Sequence, residues 1–187
     1  MTGAGSGIGR AAALALSREG CRVVACGRRA GPLQAVATEA TGAEIMAHVL
    51  DVTDRAGVDA LPESLPGEWR EIDILINNAG HEAGGRKRFD EGSADDWAAI
   101  IETNVLGLMR VSRALVPAMA ARGFGHVVNI GSVSGLRPNA TRTAYSASKH
   151  AVHGFSESLR MDFAGTGVRV TEIMPGIVKT DFAEARW

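Results

Sequence analysis

Short runs rich in valine and isoleucine alternate with longer segments of helical periodicity along the chain. The runs predict strands at Arg22 to Cys26, Glu44 to Asp51, Ile72 to Asn77, His126 to Ile130 and Val168 to Met174. The segments between them predict helices at Gly7 to Glu19, Pro32 to Ala40, Asp54 to Leu65, Ala94 to Arg122 and Ala144 to Ala164. This order is typical of repeated strand-helix-strand units around a sheet that is buried on both faces. The chain therefore predicts an α/β fold.

A glycine-rich segment comes directly before the first predicted helix. It reads Thr2-Gly3-Ala4-Gly5-Ser6-Gly7-Ile8-Gly9. Glycines at such a turn let the backbone approach a pyrophosphate, whose charge is met by free N–H groups and the positive end of the helix. The alternative is a glycine-rich turn without a ligand. Together with the parallel sheet, the segment favours a Rossmann-like doubly wound fold.

The end of the next predicted strand bears on the choice of dinucleotide. Folds that prefer NAD place a carboxylate there, which binds the ribose 2'-hydroxyl. This chain instead has Arg28 and Arg29 after Gly27. A guanidinium binds phosphate as a planar bidentate donor, so the pair favours NADP(H) over NAD(H). Two solvated arginines at a strand exit are the alternative.

Two further motifs follow predicted strands. Asn77-Asn78-Ala79-Gly80 lies at a strand end, where open α/β sheets bind ligands, although a plain turn would also fit. Ser132 follows the fourth strand and can donate a hydrogen bond to a substrate oxygen.

Tyr145 and Lys149 lie four residues apart on a predicted helix. They share a face of this helix, so the ammonium can stabilise the ionised phenol. Such a pair is common on helix surfaces, and its meaning depends on the other motifs.

These motifs together resemble the classical short-chain dehydrogenase/reductase family. The shared set is Thr2-Gly3-x-x-x-Gly7-x-Gly9, Asn77-Asn78-Ala79-Gly80, Asn104, Ser132, Tyr145-x-x-x-Lys149 and Pro175-Gly176, in family order across essentially the whole chain. The resemblance implies that Tyr145 is the general acid/base and that Ser132 polarises the carbonyl. It also implies that Lys149 binds the nicotinamide ribose and favours the phenolate. Asn104 is implied to hold a helix distortion and a water of the proton relay.

The resemblance implies a set of cofactor contacts as well. They are Gly3, Gly5, Ser6, Gly7, Ile8, Gly9, Arg28, Arg29, Asp51, Val52, Asn78, Ala79, Gly80, Tyr145, Lys149, Pro175, Gly176, Ile177 and Thr180. Asp51 and Val52 match the family's adenine site, and Ile177 with Thr180 its nicotinamide end. The activity implied is hydride transfer between an alcohol and a carbonyl, with NADP(H) as the cofactor.

A finer resemblance, to the bacterial NADP-dependent 3-hydroxy acid or serine dehydrogenase branch, lies in three segments. They are Glu68-Trp69-x-x-Ile72-Asp73-Ile74-Leu75, Gly125 to Ser132 and Arg169 to Gly176. Arg186-Trp187 matches an arginine and aromatic pair of that branch, so we expect Arg186 to bind the carboxylate of a small 3-hydroxy acid or semialdehyde. Met174 departs from the acidic residue often found there. The alternatives are a general carbonyl or 3-oxoacyl reductase of the same family and a non-catalytic nucleotide-binding fragment.

The extent of the chain follows from the same motifs. Only Met1 precedes the glycine segment, whereas a parallel strand-helix-strand unit needs a strand there. We therefore expect residues 1–187 to form a single NAD(P)-binding Rossmann domain without the first strand and the C-terminal helix and strand. By resemblance, the two long helices predict a homo-oligomer, a dimer or a tetramer.

Charge and composition exclude several other classes. With 20 basic and 21 acidic residues, the chain lacks the electrostatic footprint of a nucleic-acid binder or a polybasic membrane protein. We find neither a transmembrane run nor a signal peptide, so the cytoplasm is the expected compartment. Cys21 and Cys26 are interpreted as reduced thiols. His150 and His153 lack a third ligand at matching spacing, so no metal is expected and both are interpreted as surface or interface residues.

Overall fold

The computed structural model describes residues 1–180. Its strands are β1 (Val23–Gly27), β2 (Ile45–Val49), β3 (Ile74–Asn77), β4 (Gly125–Ile130) and β5 (Val168–Ile173). Its α-helices are α1 (Gly7–Arg18), α2 (Ala30–Glu39), α3 (Arg55–Asp59), α4 (Leu61–Ser64), α5 (Ala94–Ile101), α6 (Leu108–Arg122) and α7 (Thr143–Asp162). All five predicted strands are confirmed, each with ends within two residues of the predicted ones.

The strands form two parallel sheets. One has the order β1-β2 and the other β3-β4-β5. The backbone at Met1 and Thr2 lies between them. The carbonyl of Met1 accepts a hydrogen bond from Cys26 N in β1 at 2.8 Å, and Thr2 N donates to the Ile76 carbonyl in β3 at 3.0 Å. These bonds join the two sheets edge to edge around the start of the glycine segment.

Side chains of β1 point alternately into two apolar cores, as the pleat of a strand requires. Val23 and Ala25 pack with Leu14 of α1 and Leu33 of α2. Val24 and Cys26 belong to the second core, which includes residues of α3, α4, α6 and the other sheet. Burial on both faces explains why β1 reads as an unbroken apolar run, and it confirms the predicted α/β architecture.

Two predicted helices are divided. The segment predicted as Asp54 to Leu65 forms α3 and α4, which are separated at Ala60, and Pro62 lies in the first turn of α4. The segment predicted as Ala94 to Arg122 forms α5 and α6 with a π-helical turn, Glu102–Gly107, between them. Apolar periodicity continues through both breaks, so the sequence pattern predicts each pair as one helix. Within residues 1–180, no helix is long and apolar enough to cross a membrane.

Candidate active site

A cleft of about 260 Å³ lies at the carboxyl ends of the strands. Segments that follow all five strands contribute to its lining. The lining residues are Gly3, Gly5, Ser6, Gly7, Ile8, Gly27, Arg28, Arg29, Pro32, Leu33, Leu50, Asp51, Val52, Asn78, Ala79, Gly80, His81, Thr103, Ile130, Gly131, Ser132, Tyr145, Lys149, Pro175, Gly176, Val178 and Thr180. This is the place where open parallel sheets bind ligands. The fold therefore brings together most of the residues that the sequence motifs single out.

The first turn of α1 opens into this cleft. Ser6 precedes the helix without a side-chain cap, and the turn contains no acidic residue. Its N–H groups and the positive end of the helix dipole thus face a region lined by Ser6, Gly7 and Ile8. Gly3 and Gly7 have φ angles of +64° and +52°, which glycine adopts without strain. The geometry fits an anion such as a pyrophosphate.

The glycine loop and the Asn77-Asn78 segment hold each other in place. Thr2 Oγ1 accepts hydrogen bonds from the backbone N–H groups of Asn78 and Ala79, each at 3.0 Å. The Asn78 amide donates to the carbonyls of Thr2 and Gly3 at 3.2 and 3.1 Å. Asn77 instead points into the interior and donates to Asn129 Oδ1 at 2.9 Å. Asn78 thus braces the glycine loop, whereas Asn77 connects β3 to β4.

Gly9 does not line the cleft, and its role is close packing. A Cβ atom at this position would lie 2.1 Å from the carbonyl oxygen of Gly3 and 2.5 Å from Asn78 Nδ2. The helix can therefore approach the loop only because residue 9 has no side chain. The structure thus gives Gly9 a packing role at the base of the loop, and a cofactor contact at this residue stays a prediction.

We expect Gly9→Ala to lower the free energy of unfolding by roughly 2 kcal/mol, because the added methyl group must displace backbone. The displaced loop should also bind dinucleotide at least tenfold more weakly. Thermal unfolding and a fluorescence titration with NADPH measure the two effects. Gly154→Ala is the matched control, since its Cβ would meet nothing within 4 Å in the middle of α7. An unchanged melting temperature and affinity for Gly9→Ala would contradict this account.

The two arginines after β1 line the same end of the cleft as Asp51 and Val52. Both guanidinium-bearing residues are exposed at this edge, and Arg29 also precedes α2. The carboxylate of Asp51 accepts bonds from the backbone N–H and hydroxyl of Thr53 at 2.9 and 2.8 Å. It is thereby held at the strand end, and this part of the cleft presents more positive than negative charge.

Ser132, Tyr145 and Lys149 lie together at the other end of the cleft, and each is more than nine-tenths buried. Ser132 Oγ accepts a hydrogen bond from Ser134 N at 3.1 Å, so its O–H remains a donor for an oxygen in the cleft. Lys149 Nζ lies 5.8 Å from the centre of the Tyr145 ring and donates to the Ile130 carbonyl at 2.8 Å. The predicted pairing of phenol and ammonium on one helix face is therefore present.

Two opposing effects act on the pKa of Lys149. Burial lowers the pKa of Lys149 to about 8, while the negative charge of Glu172 acts in the opposite direction. Loss of water around an ammonium disfavours its charged form, and a nearby carboxylate restores part of that stability. Lys149 thus titrates close to neutral pH, unlike a solvated lysine.

Asn104 lies in the π-helical turn, and so the helix distortion expected at this residue is present. Its side chain is buried behind the cleft and does not line it. The amide accepts from His81 N at 2.9 Å and donates to the His81 carbonyl and to Ser148 Oγ, both at 3.1 Å. Ser148 in turn donates to the Tyr145 carbonyl at 2.7 Å. Asn104 therefore connects the loop after β3 to the turn of α7 that carries the tyrosine.

Sequence reasoning missed several residues around Tyr145 and the cleft. His81 lines the cleft beside Thr103 and lies 3.0 Å from its hydroxyl. Burial, with a contribution from Arg28, lowers the pKa of His81, so it is neutral near pH 7. The position of His81 directly after Asn77-Asn78-Ala79-Gly80 at a strand end was the available signal.

A buried ion pair adjoins the tyrosine. Arg142 binds both carboxylate oxygens of Glu82, at 2.6 and 3.0 Å, and its guanidinium carbon lies 4.3 Å from the centre of the Tyr145 ring. The side chains are 11% and 4% exposed. No local signal predicted this contact, which ties the loop after β3 to the start of α7.

Three predicted site residues near the C-terminal end differ in what the structure shows of them. Ile177 is 89% exposed and does not line the cleft, although Thr180 next to Gly7 does. Arg186 lies outside the described residues. Among residues 1–180, no group of three or more His, Cys, Asp or Glu side chains is arranged to hold a metal ion.

Comparisons with known proteins agree with this geometry. The family description "short chain dehydrogenase" matches residues 1–187. The chain is 43% identical to the NADP-dependent 3-hydroxy acid dehydrogenase YdfG of Salmonella typhi, over all of this chain and 75% of that protein. It superposes on the closed form of serine dehydrogenase complexed with NADP+ with a TM-score of 0.94 and 42% identity, covering 99% of this chain and 74% of the other.

A more distant structure shares the same fold. The actinorhodin polyketide ketoreductase, a variant solved with NADPH, has a TM-score of 0.92 and 36% identity, covering 98% of this chain and 71% of that one. The predicted Rossmann-like architecture is thus confirmed by solved structures. Because the match of sequence extends over the whole length and the fold agrees, the chain belongs to the short-chain dehydrogenase family.

Proposed function

We propose that this oxidoreductase interconverts an alcohol and a carbonyl with NADP(H), and that its substrate is a small 3-hydroxy acid or the corresponding semialdehyde. The observation that carries the proposal is the position of Ser132, Tyr145 and Lys149 in one cleft with the uncapped first turn of α1. A proton donor and a dinucleotide cradle then face the same space. Proximity of this kind is what a transfer between two bound molecules requires.

Four residues have separate roles in the reaction of the substrate. The O–H of Ser132 donates to the substrate oxygen and fixes its orientation. The phenol of Tyr145 delivers a proton to that oxygen in reduction and accepts one in oxidation. The ammonium of Lys149 stabilises the phenolate electrostatically. Asn104 keeps the tyrosine-bearing turn in place through Ser148, and we retain for it a role in the proton relay.

The cofactor would be held along the rest of the cleft. The first turn of α1 would bind the pyrophosphate, Asp51 and Val52 would flank the adenine, and Arg28 with Arg29 would bind the 2'-phosphate. The nicotinamide, when bound, supplies or accepts the hydride. Two named similarities support NADP(H): YdfG is described as NADP-dependent, and the serine dehydrogenase structure contains NADP+.

The substrate class is supported by the same relatives, which are named for a 3-hydroxy acid and for serine. Arg186 is proposed to bind the substrate carboxylate, because a guanidinium pairs with a carboxylate through two parallel hydrogen bonds. A general carbonyl or 3-oxoacyl reductase is the second candidate, and the fold shared with a polyketide ketoreductase favours it. A non-catalytic nucleotide-binding fragment is the third, which a direct assay decides.

The test is a panel of carbonyl substrates assayed with NADPH and with NADH. Malonic semialdehyde should be reduced at least tenfold more efficiently, in kcat/KM, than its methyl ester, which has the same carbonyl without the charge. Arg186→Ala should remove that difference. Equal rates for acid and ester in the unmutated protein would favour the general reductase. NADPH binding without turnover of any carbonyl would favour a non-catalytic nucleotide-binding fragment.

Assembly and compartment complete the proposal. We propose a homo-oligomer, a dimer or a tetramer, built on the long helices α5, α6 and α7. Leu106 and Met109, at the junction of α5 and α6, are each more than one-third exposed, which suits an apolar contact. Light scattering at several protein concentrations measures the assembly state. The cytoplasm stays the predicted compartment.

A further inference from the structure

A buried carboxylate lies behind the proposed active site and has no role in the mechanism above. Glu172 of β5 is paired in register with Asn129 of β4, and its side chain is 2% exposed. Its Oε2 accepts a hydrogen bond from His153 Nδ1 at 2.7 Å. Within residues 1–180, its Oε1 has no hydrogen-bond partner. Burial of a carboxylate is costly, so a second interaction must compensate for part of it.

The carboxylate reaches the back of the catalytic segment. A Cβ atom at Gly131 would lie 2.1 Å from Glu172 Oε1, so the carboxylate occupies the space that a side chain beside Ser132 would fill. Lys149 extends from α7 to the Ile130 carbonyl, one residue before Gly131. His153 is four residues after Lys149 and therefore on the same face of α7. His153 is half-buried and bonded to this carboxylate.

We propose that Glu172 is a positioning residue for the reaction: held by His153 against Gly131, its carboxylate is the counter-charge that keeps Lys149 in its ammonium form. The inference rests on the proposed function, since it gives Glu172 a role through Lys149. It gives a role to a residue that the sequence analysis did not single out as a site residue. Glu172 does not touch the cleft and acts only through the lysine.

The other charged groups in this region leave Glu172 as the counter-charge. Arg142, directly before α7, is paired with Glu82, and Arg160 of α7 with Glu157. Arg169 of β5 lies an odd number of residues from Glu172 and thus on the opposite face of the strand. Asn129 of β4 and Gly131, which follows this strand, contribute no charge. The ring centre of Tyr145 lies 5.8 Å from Lys149 Nζ, and the phenol carries no charge until it ionises. The effect of Glu172 on the pKa of Lys149, which it raises against the effect of burial, agrees with this arrangement.

The experiment measures the titration of Lys149 directly. The chain contains three lysines, Lys87, Lys149 and Lys179, so NMR of the protein labelled with ¹³C at lysine Cε yields three signals, assigned with Lys87→Arg and Lys179→Arg. In the unliganded protein, Glu172→Gln should move the Lys149 midpoint about one unit to lower pH, because a negative charge that favours the ammonium is lost. Glu157→Gln is the matched control on the same helix and should leave the midpoint in place.

Activity gives an independent readout. With Glu172→Gln, alcohol oxidation should fall off at correspondingly lower pH on the alkaline side, since the uncharged lysine no longer supports the phenolate. If the enzyme oxidises no alcohol at all, the proposed function fails, while the NMR titration still tests Glu172. Should Glu172→Gln fail to fold, Glu172→Asp, whose carboxylate is one methylene further away, should show a smaller shift in the same direction. An unchanged Lys149 midpoint in the folded variant overturns the proposal.

Discussion

Tyr145→Phe should reduce kcat for carbonyl reduction by about 10³-fold, the range expected when a general acid is removed. The substitution deletes one hydroxyl and leaves the ring, which packs beneath Arg142 and is 6% exposed. The fold should therefore persist, and the effect should appear in the chemical step. Stopped-flow measurement of NADPH oxidation under single-turnover conditions isolates that step.

Two observations separate this loss from a structural one. The variant should bind NADPH within about twofold of the unmutated affinity, because the ring and Lys149 remain. Tyr145 is the only tyrosine of the chain, so tyrosinate absorbance on alkaline titration must disappear in the variant, which provides a check on the assignment. Turnover above one-tenth of the original rate would remove Tyr145 from the role of proton donor.

Replacing Arg28 and Arg29 together by serine should weaken NADPH binding by about 100-fold or more and leave NADH binding nearly unchanged. Each hydrogen bond between an arginine and a phosphate contributes about 1.5 to 3 kcal/mol, and every 1.4 kcal/mol corresponds to a tenfold change in affinity. NADH lacks the 2'-phosphate and should not register the change. Fluorescence titrations with the two cofactors give both dissociation constants.

Arg18→Ser is the matched control, because it removes an exposed arginine at the end of α1 that does not line the cleft. It shows how much the loss of one positive charge outside the cleft changes NADPH binding. Added salt should weaken NADPH binding to the unmutated protein more than to the double variant. If the double variant loses affinity for NADH and NADPH equally, the arginines maintain the shape of the loop and do not bind the 2'-phosphate.

Local patterns were sufficient for much of this molecule. The apolar runs located β1 to β5 because each strand is buried on at least one face, and the glycine spacing located the turn before α1. Sequence patterns did not locate the points where a helix breaks or changes its hydrogen bonding while its apolar periodicity continues. The π-helical turn at Asn104 and the break at Ala60 both lie in segments whose apolar residues continue in helical spacing. Local patterns also could not predict contacts between distant segments, such as the contact between His81 and Thr103.

The sequence by itself determined the order of the elements and the position of the glycine loop, and it singled out Ser132, Tyr145 and Lys149 as candidates, because these depend on residue type and short spacing. Only the tertiary structure decided which charges surround them. Glu82 and Arg142 are 60 residues apart, and His153 and Glu172 are 19 apart on different elements. Sheet register and helix packing bring such pairs together. Burial then increases the importance of each pair for stability, since a charge removed from water is stabilised mainly by its nearest partner.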